Sequence, residues 1–190
     1  MNTLMRQVLA GVRILLVFTV LLGIAYPVAV WGVGQAVARP QAAGSLVRDA
    51  NGRIVGSSLI GQKFTAAMWF HGRPSAVGYD GMSSGASNLG PNNPKLVKTV
   101  EQLRAQVAEE DGVPQADVPA DAVTASGSGL DPDVSPAYAA IQVRRVAAAR
   151  HLSASTVRRL VAGHTQGRTL GFLGEPRVNV LELNLALERA

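Results

Sequence analysis

Cysteine is absent from all 190 residues. Disulfides, thiolate nucleophiles and cysteine metal sites are therefore excluded, and the chain can fold on either side of a bacterial membrane. Aromatic residues are scarce at 5%, so the formal net charge of +5 comes without a stacking platform for nucleic acid. No zinc spacing accompanies that charge, and no nucleic acid partner is expected. The histidines, His71, His151 and His164, fit no H-E-x-x-H or comparable pattern, and no metal site is assigned. A G-x-x-x-x-G-K-[ST] phosphate loop is missing as well. Ser87 lies in GASNLG, which departs from the G-x-S-x-G nucleophile elbow and follows no clear strand. The one hydrolytic constellation that the loops could assemble is Ser87 with His71 and Asp80; no catalytic residue is assigned.

What the chain has is apolar length. Hydrophobic residues make up 47% and the mean hydropathy is +0.18, too apolar for disorder. From Ile14 to Ala38 no residue carries a charge, and in a helix that run reaches roughly 37 Å against a hydrocarbon core of ~30 Å. The competing reading is a cleaved leader, with Arg6 and Arg13 as its basic start and Ala36-Val37-Ala38 as its A-x-A site. The run greatly exceeds a signal core, which favours a retained anchor. The expected organisation is an N-terminal cytoplasmic end over 1–13, a transmembrane helix over 14–38 and a soluble domain over 39–190. Arg6 and Arg13 before the span, against Arg39 after it, place that domain outside by the positive-inside rule. Ala25, Ala29, Gly32 and Ala36 gather small side chains on one helical stripe, a helix-packing face in lipid. Pro27 should kink the helix, and Trp31 suits the outer interface.

Beyond the span the fold class is α+β: a single soluble domain with a small sheet, several helices and long Gly/Ser/Pro-rich loops. Ser45 to Val55 spells a hairpin around Asn51-Gly52, whose dipeptide supplies positive φ. Phe70 opens FHGRPSAVGYDGMSSGASNLGPNNP, too rich in Gly and Pro for a helix and long for a loop without a task. Asn93-Pro94 is a cap followed by a first-turn proline, with Leu96, Val97, Val100, Leu103 and Val107 at helical spacing and Gly112 as the stop. A second loop, VPQADVPADAVTASGSGLDPDVSP, ends at the cap Ser135-Pro136 of a helix reaching Arg150. Ser153 or Ser155 caps the next helix, which Gly163 ends, and VNVLELNLALER reads as a short strand running into a helix. Acids dominate from Glu101 to Asp133 and arginines from Arg144 to Arg177, which suits solvated helix faces or a polar docking surface.

The segments GSLVRDANGRIVGSSLIGQKF, FHGRPSA, SGASNLGPNNP, VTASGSGLDPDVSP and GEPRVNVLELNLAL follow the apolar span in an order that closely resembles the C subunit of the bacterial Kdp potassium-transporting ATPase. The resemblance implies a non-catalytic accessory subunit of a high-affinity potassium importer in the cytoplasmic membrane. Its implied partners are the lipid bilayer, a channel-like potassium-binding subunit, a P-type ATPase subunit and a very small membrane peptide. It further implies that Ser84, Gly85, Ser87 and Asn88 form a nucleotide-binding loop, similar to the signature loop of ABC transporters, through which the subunit aids ATP binding as a catalytic chaperone. ATP is then a ligand and not a firmly bound cofactor. Ala86 stands where that family commonly has Gly. The D-K-T-G motif of P-type pumps is absent, so the chain is not the phosphorylated subunit. On its residues alone the alternative is a membrane-tethered extracytoplasmic hydrolase or cell-wall-binding domain, or an adaptor that binds nucleotide itself.

Overall fold

The structure is a computed structural model that describes residues 2–190. It divides into an N-terminal unit ending at Leu46 and a folded unit over Val47–Ala190.

The N-terminal unit is one long helix: α1 (Thr3–Val20), a π-helical turn (Leu21–Ala25) and α2 (Tyr26–Val37), followed by the short α3 (Arg39–Ala42). Within the run Thr3–Val37 the most apolar window has mean hydropathy 2.5, and none of it is buried. The helix starts well before the expected boundary at residue 14. Leu4, Met5, Gln7, Leu9 and Ala10 are good helix formers, and charge decides where a bilayer is crossed, not where the hydrogen-bond ladder begins. The effect of Pro27 is also visible. Proline lacks an amide donor and its ring crowds the carbonyl four residues back. Here the ladder widens just before it, and the Tyr26 amide donates to the Leu21 carbonyl five residues earlier.

The folded unit opens with the expected hairpin, β1 (Leu46–Arg48) and β2 (Ile54–Ser57). Its turn is fixed by Asp49, whose Oδ1 accepts from the amides of Asn51 and Arg53 at 2.9 Å each, with Gly52 at φ +80°. After an irregular stretch over 58–93 comes α4 (Pro94–Asp111), where the Asn93 side chain accepts from the Lys95 amide at 2.9 Å and Gly112 at φ +64° ends the helix. Val97 is exposed beside the half-buried Leu96, while Val100 and Leu103 pack against the core and full burial begins at Val107 and Ala108.

Two 3₁₀ turns, Gln115–Asp117 and Ala120–Ala122, lead to β3 (Asp133–Val134) and α5 (Pro136–Ala149). Then follow α6 (Ala154–Gly163), capped by Ser153 and not Ser155, β4 (Thr165–Gln166), β5 (Arg177–Asn179) and α7 (Val180–Glu188). The strand-into-helix tail is thus as expected. β5 lies between β3 and β4, antiparallel to both, with Val178 opposite Val134 on one side and Thr165 on the other. Among the described residues there are two small sheets, the hairpin and this one, not one. The core lies between the three-stranded sheet and α4 to α7, where Val143, Val146, Val157, Val178 and Leu183 are each at most 2% exposed. Each such side chain contributes roughly 1.5–3 kcal/mol by leaving water.

Candidate functional site

Phe70, first residue of the loop that the sequence singled out, is completely buried. Loop backbone rarely enters a core, because its amides and carbonyls have no ladder to join. The partners here are side chains on α5 and α7. Asn184 accepts from the Phe70 amide at 2.8 Å and donates to the Phe70 carbonyl at 3.0 Å. Gln142 does the same one residue on, accepting from the His71 amide at 2.7 Å and donating to its carbonyl at 3.2 Å. Two carboxamides thus replace neighbouring strands. Upstream, Arg145 Nη1 donates to the carbonyls of Ala67 and Trp69 at 2.8 and 2.9 Å, and Arg150 Nε donates to Met68 at 2.8 Å. The Arg150 guanidinium also stacks 4.2 Å from the Trp69 ring centroid. Residues 66–72 form a strap bound along these helices.

The strap is anchored by a charge pair inside the protein. Arg145 Nε donates to Asp111 at 2.8 Å, with side chains only 9% and 3% exposed, and its Nη2 donates to Gln142 at 2.7 Å. Burial pushes the Asp111 carboxyl up, opposed by the Arg145 hydrogen bond and charge. His71 is held below the usual histidine range by burial and, second, by Arg145; Glu110, 3.7 Å away, pulls the other way.

Downstream of the strap the two Gly/Ser-rich loops, read separately in the sequence, zip together. Arg73 pairs with Asp131 at 2.9 Å, Ser75 Oγ donates to the Gly129 carbonyl at 2.6 Å and Gly85 donates to Ser128 at 2.8 Å, while ahead of the strap Gly61 already donates to Leu130. Tyr79 donates its hydroxyl back to the Arg73 carbonyl, and burial pushes that phenol up to about 12. Gly129 is required at this seam: at φ +69°, a Cβ there would meet Val77 at 2.6 Å and the Gly85 carbonyl oxygen at 2.8 Å. The long loop is therefore a held scaffold.

The residues marked in the sequence fall as follows. Ser84 Oγ and the Gly85 amide both donate to Ser128, Ser87 Oγ accepts from the Leu89 amide at 3.5 Å, and Asn88 sits at φ +53°. Ser87 lines a cleft of about 670 Å³ with Ala86, Leu89, Lys95, Thr99 and Leu103, beside the start of α4. His71 and Asp80 are engaged elsewhere, with Ala66 and with the Met82 amide, and share no hydrogen bond with Ser87 or each other. Ala25, Ala29, Gly32 and Ala36 are all exposed on the N-terminal helix. Sequence reasoning missed Gln142 and Asn184. Each is a polar residue on an apolar stripe, Gln142 with Tyr138, Ala139 and Val146, Asn184 with Leu181 and Leu187. That placement is itself a signal of a buried backbone partner.

A family model described as KdpC, K+-transporting ATPase, c chain, matches residues 8–189, spanning both the helix and the domain that carries the strap. The chain belongs to the KdpC family. Curated relatives agree along their whole length. The potassium-transporting ATPase KdpC subunit of Kineococcus radiotolerans is 57% identical over 192 residues, covering 100% of this chain and 97% of the relative. That of Geobacter sulfurreducens is 50% identical over 187 residues, and that of Mycobacterium tuberculosis 53% over 188, each covering 97% of this chain and 98% of the relative. The KdpC family assignment therefore rests on helix and domain together.

Proposed function

We propose that this chain is the accessory subunit of a potassium-transporting ATPase, inserted in the cytoplasmic membrane by its N-terminal helix, with the folded domain outside. The carrying observation is the KdpC match over residues 8–189 joined to an apolar helix, Thr3–Val37, with no buried residue in its most apolar window. An apolar helix that packs against nothing of its own needs lipid or other helices. The stripe of Ala25, Ala29, Gly32 and Ala36 offers a close-packing face to a helix of the channel-like or the P-type ATPase subunit. The domain then contributes a rigid surface that stabilises the assembly; its polar contacts are spent on holding the loops. In this role it carries no catalytic step of its own.

A second reading, aid to ATP binding by the pump subunit, draws on Ser87 and Lys95 sharing one cleft. The Gly85 amide is already committed to Ser128, so phosphate would have to be met by Ser84, Ser87 and Asn88 side chains and by Lys95. A domain outside the membrane would not meet cytoplasmic ATP, so the two readings are separable. Ser128→Cys, labelled in intact cells by an impermeant thiol reagent, reports the side directly, and labelling is expected. Removing residues 1–38 is expected to abolish co-purification with the multi-span partners. Retained co-purification would overturn the first reading, while specific ATP protection of residues 83–89 from hydrogen exchange would establish the second.

A further inference from the structure

We propose that the cavity between the strap, α4 and α5 holds a small amino-acid zwitterion, whose ammonium group is received by His71, Glu110 and Tyr138. The cavity has a volume of about 350 Å³, near the lower end of the roughly 300–1,000 Å³ of ligand pockets, so its occupant is small. His71 comes from the strap, Glu110 from the last turn of α4 and Tyr138 from the first turn of α5. The His71 Nε2 faces the Ala66 carbonyl at 3.2 Å, and a carbonyl only accepts, so the neutral ring carries its proton on Nε2. That leaves Nδ1 as a bare acceptor, 3.7 Å from Glu110 Oε2, which is an acceptor too. Nothing donates between them. A proton on Nδ1 would join the pair, but burial and then Arg145 oppose a charged ring. Tyr138 adds a third unfilled group, because it is only 4% exposed and its hydroxyl has no hydrogen-bond partner among the described residues. Buried tyrosine hydroxyls ordinarily find one.

A primary ammonium is the donor that fits. Its three N–H groups match the three acceptors, and Glu110 supplies the opposite charge. Phe64 and Tyr79 line the cavity as well, and aromatic rings attract organic cations. A metal ion fits less well: no group of three His, Cys, Asp or Glu side chains that could hold one occurs among the described residues. Hard cations take oxygen ligands and would leave Nδ1 unused. The rest of the wall sets the other end of the ligand. Arg73 lines it but is already paired with Asp131 at 2.9 Å, whereas Lys63 makes no ion pair among the described residues. A simple amine would meet the Lys63 charge unopposed, and a carboxylate on the same molecule answers it. Bound there, the zwitterion ties the strap to α4 and α5 through groups that the fold itself leaves unsatisfied.

The test is a nuclear magnetic resonance titration of the full chain in detergent, with isotope-labelled histidine rings and the His71 signal assigned by its loss in His71→Gln. The probes are γ-aminobutyrate as the zwitterion, butylamine and butyrate as its singly charged counterparts, and potassium chloride against sodium chloride as the alkali-ion arm. Saturable perturbation of the His71 ring nitrogens by γ-aminobutyrate is expected, with weaker binding of butylamine and none of butyrate. Glu110→Gln should weaken that binding at least about tenfold and Tyr138→Phe several-fold, as the loss of hydrogen bonds to a charged group implies. Tyr138→Phe should leave the unfolding temperature of the unliganded chain unchanged, because its hydroxyl has no partner to lose. Lys63→Gln should erase the preference for γ-aminobutyrate over butylamine. The proposal is overturned by the absence of any saturable change, by undiminished affinity in Glu110→Gln, by butylamine binding as tightly as γ-aminobutyrate, or by an equal response to potassium chloride alone.

Discussion

The N-terminal helix and the strap over residues 66–72 each place backbone polar groups where water does not serve them, and they meet the need in opposite ways. In the helix, every amide past the first turn finds a carbonyl of the same segment, so the side chains are free to be apolar on all faces. Even Pro27 is absorbed locally, by one π-helical turn. In the strap no such ladder exists, and Asn184, Gln142, Arg145 and Arg150 supply the missing partners from helices far along the chain. Self-satisfied backbone tolerates change at single positions. Borrowed satisfaction concentrates the energetics in a few side chains.

The sharpest way to break that contrast is at the buried ion pair. Arg145→Met leaves Asp111 buried without its partner and releases two strap carbonyls, and should destabilise the domain by about 3–5 kcal/mol, read by chemical denaturation of the detergent-solubilised chain. Asn184→Leu keeps volume but strands the amide and carbonyl of Phe70, with an expected loss of about 2–4 kcal/mol. Hydrogen exchange should show the strap opening before α5 and α6 do.

Acidification sharpens the comparison further. Because burial, then Arg145, holds the folded-state pKa of His71 below the unfolded value of 6.5, stability is full above that value and is lost as pH falls from it toward the folded pKa. Thermal unfolding of the domain should therefore soften between neutral and mildly acidic pH, and His71→Gln should reduce that slope. Asp111 acts in the opposite sense, since burial raises its carboxyl and it lowers stability as pH climbs from its unfolded value of 3.8 toward the folded one. The smallest effect is expected in the helix. Pro27→Ala restores an ordinary ladder and should leave membrane insertion unchanged, as measured by carbonate extraction.

Local signals were legible where local chemistry decides. Asn93-Pro94, Gly112 and Ser135-Pro136 mark helix ends because caps and stops act within one turn. The Asn51-Gly52 hairpin and the strand-to-helix tail are of the same kind. The helix runs on to Thr3, ahead of the uncharged span over 14–38, because the absence of charge marks an apolar run and not the end of a hydrogen-bond ladder. Val97 lies exposed beside the half-buried Leu96, since apolar spacing marks a stripe without fixing its width. The pairing of the loop at 61–85 with the loop at 126–131 could not be read, since its contacts join residues of no special pattern across more than forty positions.

By itself, then, the sequence determined an apolar segment able to cross a bilayer, the ends of the helices, the absence of any cysteine chemistry and the family to which these motifs belong. Each of those depends on residues near one another in the chain or on composition. Only the tertiary structure decided that the Gly- and Ser-rich loops are fixed in place and that Phe70 belongs to the core. It also decided that Gln142, Asn184 and the Arg145–Asp111 pair hold them. The reason is physical: an irregular backbone cannot satisfy its own polar groups, so its conformation is set by whichever distant side chains the fold brings within hydrogen-bonding reach.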